Sequence, residues 1–331
     1  MDDQLYVVGG QQRELRPMTA AGQHWYEYQR AIMLEVDTGS GEARLVFDYV
    51  SPSEVGPADE PTILFKSGTR AGDLLYLCTQ TEVIVVRAPE MERVAYLSLP
   101  AFNDVHHVRP SPSGSLLIAN TGLDSVMEVS LEGDVVREWN VFGGSTWDRF
   151  SRDVDYRKVR TTKPHLAHPN HVFYIDGQAW ATRFEQRDAV AVDDLEDRIE
   201  IGLERLHDGL VSDDKVYFTT VDGKVVIADT AKRSVVDVID LTSFHPADTR
   251  LGWCRGIHLD GDRLWVGFSR IRPTKFRENV GWVLHGFKRD VGTHIACYDL
   301  AARACVKEIP LEDAGMSAVF SIFAKPGAPV Q

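Results

Sequence analysis

Four short apolar runs joined by tight polar turns, repeated along the chain, restrict the possible folds more than any other feature. Residues 63–99 hold four such runs, and residues 104–139 repeat the plan with His106-His107-Val108, Leu116-Leu117-Ile118, Val126-Met127-Glu128-Val129 and Val135-Val136. Each run is rich in β-branched and aromatic residues and is bounded by Asp-Gly, Ser-Gly or Gly-Asp, the pattern of strands linked by hairpins. Further copies occupy residues 168–202, 207–241 and 254–309. Asp124-Ser125-Val126 and Asp188-Ala189-Val190 stand at the same place in their copies, and Asp222-Gly223-Lys224-Val225 at the comparable turn of the next. Self-similarity at such a period is the mark of a repeat architecture.

Four antiparallel strands per copy make the blade of a β-propeller. Two incomplete pieces remain: one inner strand near 317–331, and three strands within residues 4–49. Joined, they form a last blade closed by both termini, which removes an open sheet edge. The expectation is one all-β domain over residues 1–331, a six-bladed β-propeller with four antiparallel strands per blade.

Three connections exceed the usual hairpin length: 9–30, 140–167 and 269–291. The first and third join a blade's second strand to its third, and the middle one joins an outermost strand to the next inner strand. All three therefore emerge on one face, where the inner strands also begin. Binding residues concentrate on loops held by a rigid scaffold, so this face is the expected functional one. The 140–167 insertion carries six basic residues against three acidic, and 269–291 carries six against two. On a chain of net charge −13, two net-positive flaps point to a small anionic ligand such as a carboxylate, phosphate or sulfate. The alternative is a solvated rim whose charges pair with acidic loops.

The same net charge argues against nucleic-acid or anionic-membrane partners. No apolar run reaches the roughly 18 residues of a spanning helix. The opening Met1-Asp2-Asp3-Gln4 carries no signal-peptide pattern, and four cysteines lack paired spacing; both fit reduced thiols in a cytoplasmic protein.

Aligning the inner-strand openings sets His106, Asn170, Asp208 and Arg255 in one column, with His107, His171, Gly209 and Gly256 in the next. Inner strands face the central channel, so a column can aim several side chains at one point. His106, Asn170 and Asp208 together could hold one divalent metal ion (Ca, Mg, Mn or Zn) with open positions for water and substrate. Asp208 or His106 would move the proton and Arg255 would clamp an anionic group. His107, His168, His171, Lys163, Arg183 and Arg272 are the expected substrate contacts. His165, His168 and His171 form an HxxHxxH run, but Pro164 and Pro169 interrupt it, so it lacks the helix an independent zinc motif needs. His207 is placed to orient Asp208.

Pro169-Asn170-His171-Val172 and His207-Asp208-Gly209-Leu210 resemble the inner-strand phrases of the gluconolactonase/regucalcin group of six-bladed propellers. That resemblance implies metal-ligand roles for Asn170 and Asp208, with Asp208 also a general base. The group's third ligand is a glutamate near the first inner strand, where this chain has Leu64-Phe65-Lys66. A histidine in the His106 slot resembles streptogramin lyase-like and arylsulfotransferase-like propellers, in which a channel histidine is acid/base or nucleophile. The leading expectation is a metal-assisted hydrolase, lyase or isomerase acting on a small anionic substrate. A metal-free His-centred transferase or lyase and a non-catalytic docking platform are the alternatives.

Overall fold

A computed structural model describes residues 3–13, 28–59, 61–270 and 289–327, with the backbone alone at 289 and 290. Strand pairing sorts these into six antiparallel sheets of four strands and a two-stranded parallel ladder of Thr249–Arg250 with Arg289–Asp290. The chain is a six-bladed β-propeller. Blade 1 comprises Ser67–Ala71, Leu74–Cys78, Val83–Arg87 and Glu92–Leu97; blade 2 comprises Val105–Pro110, Leu116–Asn120, Ser125–Val129 and Val135–Asn140. Blade 3 runs through Pro169–Ile175, Gln178–Arg183, Asp188–Ala191 and Asp194–Glu200; blade 4 through Leu210–Ser212, Lys215–Thr219, Lys224–Asp229 and Ser234–Asp240. Blade 5 uses Trp253–Asp260, Arg263–Ser269, His294–Asp299 and Ala304–Pro310. In blade 6 the C-terminal strand Ala318–Ala324 is innermost and pairs with Gln4–Gln12, followed by Tyr28–Asp37 and Ala43–Tyr49. The closing register runs from Leu5 opposite Ala324 to Gly10 opposite Ala318.

Blades pack face to face, so the middle strands are apolar on both sides. Tyr6 and Val8 join a cluster with Phe65, Leu75 and Ile84 of blade 1, whereas Leu5 and Val7 join Trp265, Ile295 and Ile309 of blade 5. One such cluster fills each of the six blade interfaces. This two-sided burial explains the near-continuous apolar runs, which a half-exposed sheet would replace with alternation. Outermost strands do alternate, as in Ser234–Asp240, where only Ile239 is buried. Among the described residues no helix is long and apolar enough to cross a membrane.

The connections that leave inner-strand starts define an upper face, and the turns between first and second strands a lower one. Residues 141–168 sit on the upper face with Thr146–Asp148 and Tyr156–Lys158 as single helical turns.

Candidate functional site

Five of the six described inner strands carry one extra residue at the level of the channel centre. Val105 pairs with Asn120 and His107 with Ala119, so two steps on the inner strand match one on its neighbour. Pro169/Val172 against Arg183/Ala181, Cys254/Ile257 against Phe268/Val266, and Val319/Ser321 against Gly9/Val8 show the same excess. Blade 4 does likewise between Leu206 and Leu210, opposite Thr220 and Tyr217. A regular strand sends neighbouring side chains to opposite faces, whereas a bulge re-aims them. Members of both aligned columns thereby reach the channel, at two heights.

The upper level is crowded with imidazoles and cations. Lys66 Nζ donates to Asp104 Oδ1 at 2.7 Å and lies 3.5 Å from His106 Nε2. His106 Nδ1 sits 2.7 Å from the Asp104 carbonyl oxygen. A carbonyl only accepts, so Nδ1 carries the hydrogen and Nε2 presents a lone pair. The His106 ring meets His168 at 5.1 Å and His207 at 6.2 Å between centroids. His165 and His168 meet through their Nδ1 atoms at 2.7 Å. Asp124 fixes that segment by accepting from the backbone N–H groups of Leu166, Ala167 and His168, each at 2.9 Å. His207 is buried with neither ring nitrogen hydrogen-bonded among the described residues.

Arg255 completes this level. Its guanidinium stands 4.7 Å from the Phe320 ring centroid and 5.5 Å from that of Trp253, and Lys66 approaches the same Phe320 ring at 6.0 Å. Among the described residues it makes no hydrogen bond and no ion pair, and its Nε is buried without a partner. Burial lowers the group to about 10, so it stays charged at neutral pH. Burial, reinforced by Lys66, holds His106 well below the imidazole range. Burial and the neighbouring Arg255 bring His207 down to about 4. Burial works against ionisation of Asp104, but Lys66 and the imidazoles keep its carboxyl well below the usual range. At pH 7 the level therefore holds neutral imidazoles between the charged Arg255 and the Lys66–Asp104 ion pair.

Asp208 marks the floor of this level. Its Oδ2 accepts from the Thr219 hydroxyl and, at 2.9 Å, from the Gly256 N–H. Gly256 has φ +76°, and a Cβ there would sit 3.1 Å from the Ser321 backbone, so glycine is what lets this amide reach the carboxylate. The other oxygen, Oδ1, faces His207 Nδ1 at 3.8 Å and His171 Nδ1 at 4.0 Å. Burial alone would raise this carboxyl; His207, His171 and Thr219 outweigh it and hold it low. Below Asp208, a cavity of about 660 Å³ is lined by all six inner strands and opens past Asp213 and Gly261 on the lower face. His107 and His171 form its roof, stacked at 3.6 Å. The large opening thus lies on the face opposite residues 141–168.

The structure distributes the expected site residues unevenly. His106, His168 and Arg255 share the upper level, and Asp208, His171 and His107 the floor. Asn170 lies between blades 3 and 4, where Nδ2 donates to the Leu206 carbonyl at 2.9 Å and Oδ1 is buried without a partner. Arg183 sits away from both levels: it grips Asp188 through Nε at 2.8 Å and Nη2 at 2.5 Å, and donates to Val141 O. Lys163 is on the exposed upper rim, beside a small pocket shared with Arg157, Arg160 and Asp104. Arg272 lies outside the described residues, as do most of the 9–30 and 269–291 insertions. The basic residues of the 140–167 flap are largely paired: Arg149 with Asp124, Arg152 with Glu138, Arg157 with Asp155 and Arg160 with Asp59. Lys158 caps the carbonyls of Ser53 and Gly56. The anion argument therefore passes from the flap to Arg255.

Several members of the upper level did not figure among the expected contacts: Lys66, Asp104, His165 and Phe320. Lys66 and Phe320 occupy the inner-strand positions of blades 1 and 6, so extending the column to all six blades would have found them. Asp104, at φ +50°, is set by its turn. As a metal site, the chamber offers the orphaned Asn170 Oδ1 and one open oxygen of Asp208. His106, by contrast, directs its lone pair toward a lysine ammonium, and Lys66 stands where the gluconolactonase group has a glutamate ligand.

No family model matches the sequence, and no curated protein does. Solved structures do share the fold. A protein of unknown function from Bacteroides caccae superposes with a TM-score of 0.61 at 12% identity, covering 97% of this chain and 98% of that one. A chain of a nidogen/laminin complex superposes with a TM-score of 0.58 at 8% identity, covering 97% and 99%. Likeness at such identity is one of fold, and it is not particular to gluconolactonases.

Proposed function

We propose that the upper level of the channel binds a small anionic molecule and acts on it as a hydrolase, lyase or isomerase, with a neutral imidazole moving the proton. The observation that carries this reading is Arg255: a charged guanidinium beside two aromatic rings with no hydrogen-bond or ion-pair partner among the described residues. Its Nε is buried without a partner although the residue as a whole is half-buried, and an unsatisfied donor at this level favours a site completed by ligand. A carboxylate, phosphate or sulfate oxygen beside Arg255 would gain charge-assisted hydrogen bonds in a desolvated setting. His106 Nε2, which meets Lys66 Nζ at 3.5 Å, would take the proton from the ligand or from a water once a bound anion draws that ammonium away. Lys66 would stabilise negative charge that develops there. Asp208, with one oxygen held by Thr219 and Gly256 and the other toward two imidazoles, would orient them and support an imidazolium.

A divalent-metal version of the same reading rests on Asn170 Oδ1, buried without a partner next to the blade that carries Asp208. Asn170 and Asp208 would hold the ion, which would polarise a carbonyl or activate water. The test is turnover across a panel of lactones, esters and sugar acids, on chelator-treated wild type and on His106→Ala and Asp208→Asn. Activity that survives chelation and falls roughly 100-fold or more in His106→Ala supports the imidazole reading. Activity lost on chelation and restored by one metal supports the metal version. Turnover by neither, with no ligand in the channel, refutes both.

A further inference from the structure

A second group of ligating side chains lies outside the channel, on the flank between blades 4 and 5. His245 follows the short helical turn after the outermost strand of blade 4, and His294, Cys305 and Glu308 lie on the two outer strands of blade 5. Glu308 pairs with Ala296 across those strands, so His294 is its diagonal neighbour, and a bulge between Cys297 and Tyr298 brings Cys305 opposite Tyr298. The small Ala296 side chain leaves room in the middle. One ligand atom each from His245, Cys305 and Glu308 fall within 4.8 Å of one another. His245 Nδ1 is 3.6 Å and His294 Nε2 3.9 Å from Glu308 Oε1.

His294 supplies the independent observation. Its side chain is only 3% exposed, and Nε2 is buried with no hydrogen-bond partner. Nδ1 lies 2.8 Å from the Gly292 carbonyl, so the hydrogen is on Nδ1 and the Nε2 lone pair points toward Glu308. A ring nitrogen tied to a carbonyl with the other free is how metal-bound histidines are oriented. His245 has the matching arrangement, with Nε2 engaged by the Tyr298 hydroxyl at 3.0 Å and Nδ1 turned inward. Burial lowers both imidazoles, keeping them in the neutral form that binds metal.

We propose that His245, His294, Cys305 and Glu308 form a structural zinc site that ties the segment after blade 4 to the edge of blade 5. Zinc bond lengths of roughly 2.0–2.3 Å place ligand atoms of a tetrahedral site about 3.3–3.6 Å apart, so His245, Cys305 and Glu308, within 4.8 Å of one another, would draw in by up to about 1.5 Å, and His294 would close on them from its side of Glu308. Two neutral imidazoles, one thiolate and one carboxylate balance the ion's charge, and the Cys305 proton leaves to solvent on binding. Glu308 is 46% exposed, which gives the ion a way in.

Chelator-treated full-length protein would be titrated with Zn²⁺ alone by calorimetry, and with Co²⁺ as a spectroscopic substitute. The expected result is a Co²⁺ complex with thiolate-to-metal charge-transfer absorption, displaced by one equivalent of Zn²⁺. Cys305→Ser removes that absorption, Glu308→Gln weakens binding by more than about tenfold, and His106→Ala leaves the absorption unchanged. Zinc taken up only by channel imidazoles gives no thiolate absorption. That outcome, an absence of zinc binding, or absorption unchanged in folded Cys305→Ser overturns the proposal.

Discussion

His107 and His207 are both buried channel histidines, one on the floor and one in the level above, and their surroundings differ completely. His107 Nε2 lies 3.2 Å from the Gly68 carbonyl and 3.3 Å from the Thr69 hydroxyl, its Nδ1 accepts from the Val172 N–H at 3.3 Å, and its ring stacks on His171. Every polar atom is used, and the ring holds blades 1, 2 and 3 together. Among the described residues His207 has no hydrogen bond to either nitrogen, and beside it Arg255 packs against the Phe320 and Trp253 rings without a hydrogen bond. Burial is the same; satisfaction is not. Buried polar groups are nearly always paired, so a cluster of unpaired ones distinguishes a place kept for a ligand from a place filled by structure.

Acid should break both levels together, and this is the largest effect expected. Their imidazoles have folded values depressed below the ordinary 6.5, to about 4 at His207 and about 3 at His171. The unfolded chain therefore takes up protons first as pH falls. Stability from these groups is complete above about pH 6.5 and is lost as pH drops toward 4 and 3, by up to about 1.4 kcal/mol per pH unit for each imidazole. Denaturant midpoints between pH 7 and 4.5 check this; a flat profile contradicts it, and His207→Gln should reduce the slope by about one proton. Next in size, His107→Ala should cost about 2–4 kcal/mol, since it opens a void and strands the Val172 N–H. Chemical denaturation reads that loss, whereas anion binding above should change by less than about threefold. A stable His107→Ala protein that no longer binds anions would reverse the assignment of the two levels. Smallest, Gly256→Ala should cost about 1–3 kcal/mol through its left-handed backbone and the Ser321 contact. Its effect on Asp208 would appear as a raised lower limb in any pH–rate profile.

The blade plan was legible because its cause is local: alternating strands, tight turns and two-sided burial write themselves into every copy. Closure by both termini followed from the incomplete sets at the two ends. The channel column was legible in part. His106, Asp208 and Arg255 stand out as polar residues opening apolar strands, and they do line the channel. Lys66 and Phe320 were harder to see because a lysine before Ser67 and a phenylalanine within Val319–Phe323 look ordinary in isolation. The bulges that put His106 and His107 at two heights depend on cross-strand register, which no single strand records. Arg183 misled for a related reason, since its acceptors, Asp188 across a hairpin and the Val141 carbonyl, take its directional bonds. The flap cations of 140–167 looked free because their acceptors Asp59, Asp124 and Glu138 belong to other segments.

The central claim is that Arg255 lacks a partner among the described residues because an anion supplies one. Its most direct test is thermal unfolding and calorimetric titration of wild type and Arg255→Met with phosphate, sulfate, acetate and malonate at pH 7. The account predicts that at least one anion raises the wild-type Tm. Loss of the charged contact, about 2–5 kcal/mol, would weaken that binding by roughly 30-fold or more in Arg255→Met, while the unliganded variant unfolds no earlier than wild type because an unsatisfied buried Nε is gone. No stabilisation by any of the four, or equal stabilisation of both proteins, would contradict it.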